Sequence, residues 1–295
     1  MKLLTTLLLS MSLLSACATL PPPLSWQELN ARALPLPGLR VAYGEAAPQF
    51  GELRLPAGRG PFPVVVLIHG GCWLQQFDYR HATRVADALL PLGVAVWTIE
   101  YRRLGDDGGG WPHTLLDVAR ATDHLRVLAQ TQPLDLGRVI AMGHSAGGQL
   151  ALWLAARTQL PADSPLYRPD PLPLRGVLGL APITDLATYR IGPAGSCHSA
   201  VEPLLGGTPE EQPARYAQAS PLALLPLGVP QQLVQGARDP IVAADSVAAY
   251  TRAAQAQGDT VQLHTVGAAG HFELVAPGSV AWPAITRALQ ALLAP

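Results

Sequence analysis

The stretch RVIAMGHSAGGQLALWLA, residues 138 to 155, places one serine, Ser145, between His144 and Ala146 and flanks that triplet with Gly143 and Gly147. A small polar residue in a tight turn accounts for it, and so does a nucleophile. With 28 Gly and 11 Ser in 295 residues the G-x-S-x-G pattern can arise by chance, so the surroundings must decide. A serine hydroxyl is a weak nucleophile at neutral pH and needs a base to take its proton. His271 is the candidate base. Asp239 is the candidate acid that fixes its tautomer and stabilises the imidazolium. The Ala146 N–H, at the start of the segment after the serine, and the N–H of Gly71 or Cys72 are candidate donors to a developing oxyanion.

Those residues need a scaffold that brings them together. From Pro63 onward, apolar β-branched runs alternate with helical patterns. VVVLI, VAVWTIEYR, RVIAMG, LRGVLGLAPIT, QQLVQGAR and VQLHTV read as strands. RHATRVADALLPLG, TLLDVARATDHLRVLAQ, AGGQLALWLAAR, SVAAYTRAAQAQG and AWPAITRALQALL read as helices. Such alternation predicts an α/β fold with a mostly parallel central sheet and helices on both faces. Two earlier strands, LRVAYG and FGELRLP, read as a leading hairpin or meander. In parallel sheets of this kind, ligands bind at the carboxyl ends of the strands. His69 to Trp73, Ser145, Asp185, Asp239 and His271 each follow one of these strands, which gathers them on one sheet edge. That gathering is a stronger signal than the pentapeptide.

The chain order Ser145, Asp239, His271 is that of α/β hydrolases. With HGGCW, EYRRL, GHSAGG, SPLALLPLGVPQQLVQGARDPIV and GAAGHF, the chain resembles α/β-hydrolase serine esterases of the branch whose oxyanion motif reads H-G-G-x-W. That branch includes kynurenine formamidase-like and feruloyl- or acetyl-esterase-like enzymes. The resemblance covers roughly residues 40 to 293 and departs from the H-G-G-G esterases at Cys72. It implies hydrolysis of a small-molecule carboxylic ester, without cofactor or metal, through an acyl group carried on Ser145. Cleavage of a formyl amide fits the same machinery. A non-catalytic binding protein on this fold would lack a triad member, and all three residue types are present.

Each residue has plainer readings. Asp239 precedes Pro240 and suits a turn, and Asp185 and Asp245 are rival acids. His69 and His144 read as braces of their loops rather than bases. Asp117, on a helix, reads as structural. Trp73 is either a substrate-binding wall near the acyl carbonyl or a packing anchor. Whether wall or anchor, a bulky ring there, under a short Pro- and Gly-rich cap, would leave limited room and favour short acyl groups. GDDGGGW lacks the full ligand spacing of a calcium loop and reads as a solvated turn. No HExxH, Cys/His cluster or P-loop is present.

Composition narrows the partners. Charged residues make up 14%, below the usual ~25%, while hydrophobic residues make up 49%. The formal net charge is −1 and no long basic run occurs, so nucleic-acid binding has no electrostatic footprint. The N-terminus, MKLLTTLLLSMSLLSACATLPPP, has a positive start and a short apolar run, as an export signal does. Its end, Leu14-Ser15-Ala16-Cys17, resembles the lipobox of bacterial lipoproteins, in which the Cys becomes the lipid-bearing first residue. That resemblance implies a signal peptide over residues 1–16 and a membrane anchor at Cys17. Ala18 after the Cys favours the outer membrane where the cell has one.

Residues 17–39 then comprise the lipidated Cys, a Pro-rich tether and a short helix. A capping box, Ser25 to Glu28, opens that helix, with Leu24 and Leu29 spaced for a hydrophobic staple. Residues 40–295 form the hydrolase domain, with a cap insertion at about 186–227. Cys72 and Cys197 would meet an oxidising compartment after export, but sequence alone does not pair them.

Overall fold

The computed structural model describes residues 20–294, so Cys17 and the signal segment lie outside the described residues. Eight strands form one sheet: β1 (Leu39–Ala42), β2 (Phe50–Arg54), β3 (Phe62–Ile68), β4 (Ala95–Ile99), β5 (Leu134–His144), β6 (Gly176–Leu180), β7 (Gln231–Gly236) and β8 (Val261–Val266). Their order is β1-β2-β4-β3-β5-β6-β7-β8. Only β1, β2 and the β2–β4 junction are antiparallel; the remaining pairs are parallel. The central strands are buried throughout their cores, which is why β3 reads as an unbroken Val/Leu/Ile run rather than an alternation.

Among the described residues there are ten α-helices: α1 (Trp26–Asn30), α2 (Thr83–Leu89), α3 (His113–Asp123), α4 (Leu125–Leu128), α5 (Ala146–Ala156), α6 (Leu186–Tyr189), α7 (Val201–Leu205), α8 (Pro213–Ala219), α9 (Ala244–Ala256) and α10 (Trp282–Leu293). The capping box predicted for α1 is formed, with the Glu28 N–H donating to Ser25 Oγ and the Ser25 N–H to Glu28 Oε2. One predicted helix is split. The run from Thr114 to Gln130 breaks at His124 into α3 and α4. The Trp97 indole N–H takes the Ala121 carbonyl, which the Leu125 N–H would otherwise use in a continuous helix.

The segment between β6 and β7 carries α6, α7 and α8 and is tied to α5. Gln149 Nε2 donates to the Ala219 carbonyl at 2.9 Å, and Trp153 Nε1 to the Gln218 carbonyl at 2.9 Å. The segment between β6 and β7 is therefore pinned to the body of the molecule. Among the described residues, no helix is long and apolar enough to cross a membrane.

Candidate active site

Ser145 ends β5 and caps α5 with φ 57° and ψ −120°, a region that few non-glycine residues occupy. Such backbone costs of order 1–3 kcal/mol and is held by its surroundings. Here the Ser145 N–H donates to the Leu180 carbonyl at 2.8 Å, and its carbonyl accepts from the Gln149 N–H at 3.1 Å. The flanking glycines have a steric reason. A Cβ on Gly143 would run into the Gly147 backbone, and one on Gly147 into the carbonyl oxygens of Ile68 and His69. The strand-to-helix turn thus lets α5 begin against the loop that follows β3.

That loop bends sharply. Gly71, Cys72 and Trp73 have φ values of 107°, 56° and 55°. A side chain on Gly71 would collide with Phe77. Among the described residues, the N–H groups of Cys72 and Ala146 donate to no other backbone group. His69 anchors the loop, its Nδ1 2.7 Å from the Gly70 carbonyl and its Nε2 2.8 Å from Glu100 Oε1. Its ring stacks on Tyr101 at 4.5 Å, and the Tyr101 hydroxyl donates to the His69 carbonyl. Burial pushes the Glu100 carboxyl up, but the charge and hydrogen bond of His69 and the Arg103 guanidinium outweigh it, leaving its pKa below the ordinary value.

His271 and Asp239 meet at the ends of the last two strands, with Nδ1 2.7 Å from Asp239 Oδ2. Asp239 Oδ1 accepts the Ile241 and Val242 N–H groups at 2.8 and 2.9 Å. Burial raises the Asp239 pKa, while the His271 contact and the two backbone donors lower it further, so the group stays ionised. His144 Nε2 lies 3.1 Å from the His271 carbonyl, with the rings 4.3 Å apart. Burial, then the nearby His271, holds the His144 pKa well below its ordinary value, so it serves as a neutral donor bracing the loop. The rival acids point elsewhere. Asp185 caps α6 through the Ala187 N–H, and Asp245 is exposed in the first turn of α9. Asp117 pairs with Arg102 and Gln49, and Asp106 of the GDDGGGW turn accepts from Arg103 and Gln75.

Ser145, His271, Gly71 and Cys72 line one cavity of about 210 Å³. Trp26, Phe77, Phe272, Val275 and Cys197 form most of its remaining wall. Trp73, expected near the acyl carbonyl, is absent from that wall. It is fully buried, and its indole N–H donates to Gln149 Oε1 at 3.1 Å. It anchors the loop after β3 to α5, so an aromatic wall comes from Trp26, Phe77 and Phe272 instead. Phe272 adjoins His271 in sequence and was open to discovery on that ground. Trp26 carried no such signal, being far away in the chain. Cys72 and Cys197 form a disulfide with Cα atoms 5.0 Å apart, joining the loop after β3 to the segment between β6 and β7. A larger hollow, about 520 Å³, lies beyond Ile241 against α6 and α9; Ser145 and His271 do not line it.

The BD-FAE family profile matches residues 52–252. No curated protein sequence matches the chain. Several solved structures share the fold at low identity. A truncated carbohydrate esterase from gut microbiota superposes with a TM-score of 0.72 at 18% identity, over 87% of this chain and 97% of that one. Esterase B from Lactobacillus rhamnosis gives 0.71 at 21% identity, covering 90% of each chain. A bifunctional GH43-CE protein from Bacteroides eggerthii gives 0.71 at 21% identity over 86% of this chain, which spans only 38% of that larger protein. The chain therefore has the α/β-hydrolase fold and belongs to the BD-FAE family.

Proposed function

We propose that this protein is a serine hydrolase that cleaves carboxylic esters of short acyl groups. In this reading Ser145 Oγ attacks the ester carbonyl while His271 takes the hydroxyl proton. The tetrahedral oxyanion accepts hydrogen bonds from the Ala146 N–H and from Gly71 or Cys72. His271 returns the proton to the leaving alcohol, and the acyl group remains on Ser145. Water, deprotonated by the same histidine, then releases the acid. Asp239 holds the imidazole by Nδ1 and stabilises its charged form.

The observation that carries the reading is the apolar cavity that Ser145 and His271 both line, with His271 backed by an ionised Asp239 at 2.7 Å. Its modest volume, below the usual ~300 Å³ of small-molecule pockets, supports short acyl chains. The esterases among the similar structures support the reaction class. The test is a p-nitrophenyl ester series from acetyl to decanoyl, run beside N-formylkynurenine with Ser145→Ala as control. The expected result is a maximum between acetyl and butyryl and loss of turnover in the variant. Faster formamide turnover would make the protein an amidase instead, and near-normal kcat in Ser145→Ala would remove the serine from the chemistry. We further propose that Cys17 carries a lipid, which would hold the enzyme on the cell envelope.

A further inference from the structure

One wall of the Ser145 cavity comes from a part of the chain that precedes the family-matched residues 52–252. Trp26, half-buried in α1, packs edge-on to Phe77 and His81 at 5.2 Å each and lies 5.8 Å from Phe272. The strap that carries it is tied down on both sides. Leu29 is fully buried, and Arg84 Nε donates to the Ala33 carbonyl at 3.0 Å. Upstream, the Leu24 N–H donates to Glu273 Oε1 at 2.6 Å, while Glu273 Oε2 accepts the Gly270 N–H at 2.9 Å. One carboxylate thus joins the strap to the loop bearing His271. Arg238, next to Asp239, donates to the Pro21 carbonyl at 2.6 Å.

We propose that the N-terminal strap is a working part of the site and that Trp26 is its specificity-determining residue, closing the acyl end of the cavity. The inference rests on the ester-hydrolase reading above and adds to it the residue that sets chain length. The indole fills space that an extended acyl chain would need, and Phe77, His81 and Phe272 hold it there. A smaller side chain at position 26 opens the cavity toward the exterior, because the tryptophan itself is only half-buried.

The test compares Trp26→Ala and Trp26→Phe with the unaltered full chain on butyryl and octanoyl p-nitrophenyl esters. The readout is the octanoyl-to-butyryl ratio of kcat/KM within one preparation, from which the fraction of correctly folded enzyme cancels. Trp26→Ala should raise that ratio about 10-fold or more, the discrimination expected of a steric wall, and Trp26→Phe should fall between. A merely structural tryptophan would lower the melting temperature and leave the ratio alone. A ratio within about two-fold of the unaltered protein in both variants would overturn the proposal. The short-acyl reading is judged separately, by the unaltered protein's own profile. Labelling rates of Ser145 with ethyl and octyl fluorophosphonates make the same comparison without turnover. Trp26→Leu, which keeps an apolar side chain under the strap, serves if Trp26→Ala does not fold.

Discussion

Breaking the Cys72–Cys197 disulfide should cost stability and catalysis together, because the bond closes a long loop and also fastens the loop proposed to hold the oxyanion to the segment between β6 and β7. The sequence separation is 125 residues. Loop-closure entropy for a loop of that length gives about 5 kcal/mol at 25 °C, and native disulfides removed from small domains typically cost about 2–5 kcal/mol. An unfolding entropy of about 0.6 kcal/mol/K for a chain of this length converts 5 kcal/mol into a fall of roughly 8 °C in melting temperature. The assay is calorimetry of Cys197→Ser beside the unaltered protein, each with and without dithiothreitol. The reductant supplies two electrons and two protons, becomes a cyclic disulfide and leaves two thiols. The unaltered protein should fall toward the variant on reduction, and the variant should not respond. The kcat per fluorophosphonate-titrated site should drop as well, since Cys72 sits between two other positive-φ residues and loses its tie to the cap. Equal melting temperatures within a degree, with free-thiol counts proving reduction, would refute the reasoning.

Asp239→Asn should lower kcat by about 10⁴, as expected when the histidine loses its orienting acid, whereas Asp185→Asn, altering only a helix cap, should cost less than about 10-fold; ester kinetics on both variants decide it. Stability should also fall as pH drops below neutrality. Burial holds the His81 pKa down to about 3, and His144 is likewise depressed, so both stay neutral in the fold while the unfolded chain protonates near 6.5. Their contribution is complete above about pH 6.5 and is lost as pH falls toward the folded values, at up to about 1.4 kcal/mol per pH unit for each. Urea denaturation at pH 7.5 and 5.0 should reveal a loss of about 2 kcal/mol from His81, with His144 adding to it in the same direction, and equal midpoints would contradict it. Cys17→Ser should move the protein from the membrane fraction to the soluble one, or block its processing, with kcat of the released enzyme unchanged; a variant that is processed normally and still pellets with membranes would make that cysteine incidental.

The parallel core and its chain order were legible because buried strands write themselves as unbroken β-branched runs, as in Val64 to Ile68, and because ligand-facing residues follow strand ends. Placement put Asp239 and His271 on one edge with Asp185 as a rival acid, the chain order chose Asp239, and the structure sets it 2.7 Å from His271 Nδ1. The walls of the cavity were not legible. Trp73 stands two residues from Gly71, so proximity in sequence made it a wall, yet its indole turns inward to Gln149. Trp26 reaches the cavity through long-range docking by Glu273 and Arg238, which no local pattern encodes. The break at His124 was hidden for the same reason, since it depends on the Trp97 indole from a different strand.

If Cys17 carries the proposed lipid, the strap would also fix which way the protein faces. Residues 18 to 20, between Cys17 and the tie at Pro21, reach about 10 Å when drawn out fully. A folded body of this size is about 50 Å across. With a lipid on Cys17, the molecule would be moored on a line shorter than its own width, and the mooring point lies beside the cavity that Trp26 walls. The catalytic mouth could not then swing round to the far side of the body. It would work within a thin zone next to the bilayer, where encounter depends on how densely esters populate that surface rather than on their concentration in the bulk phase.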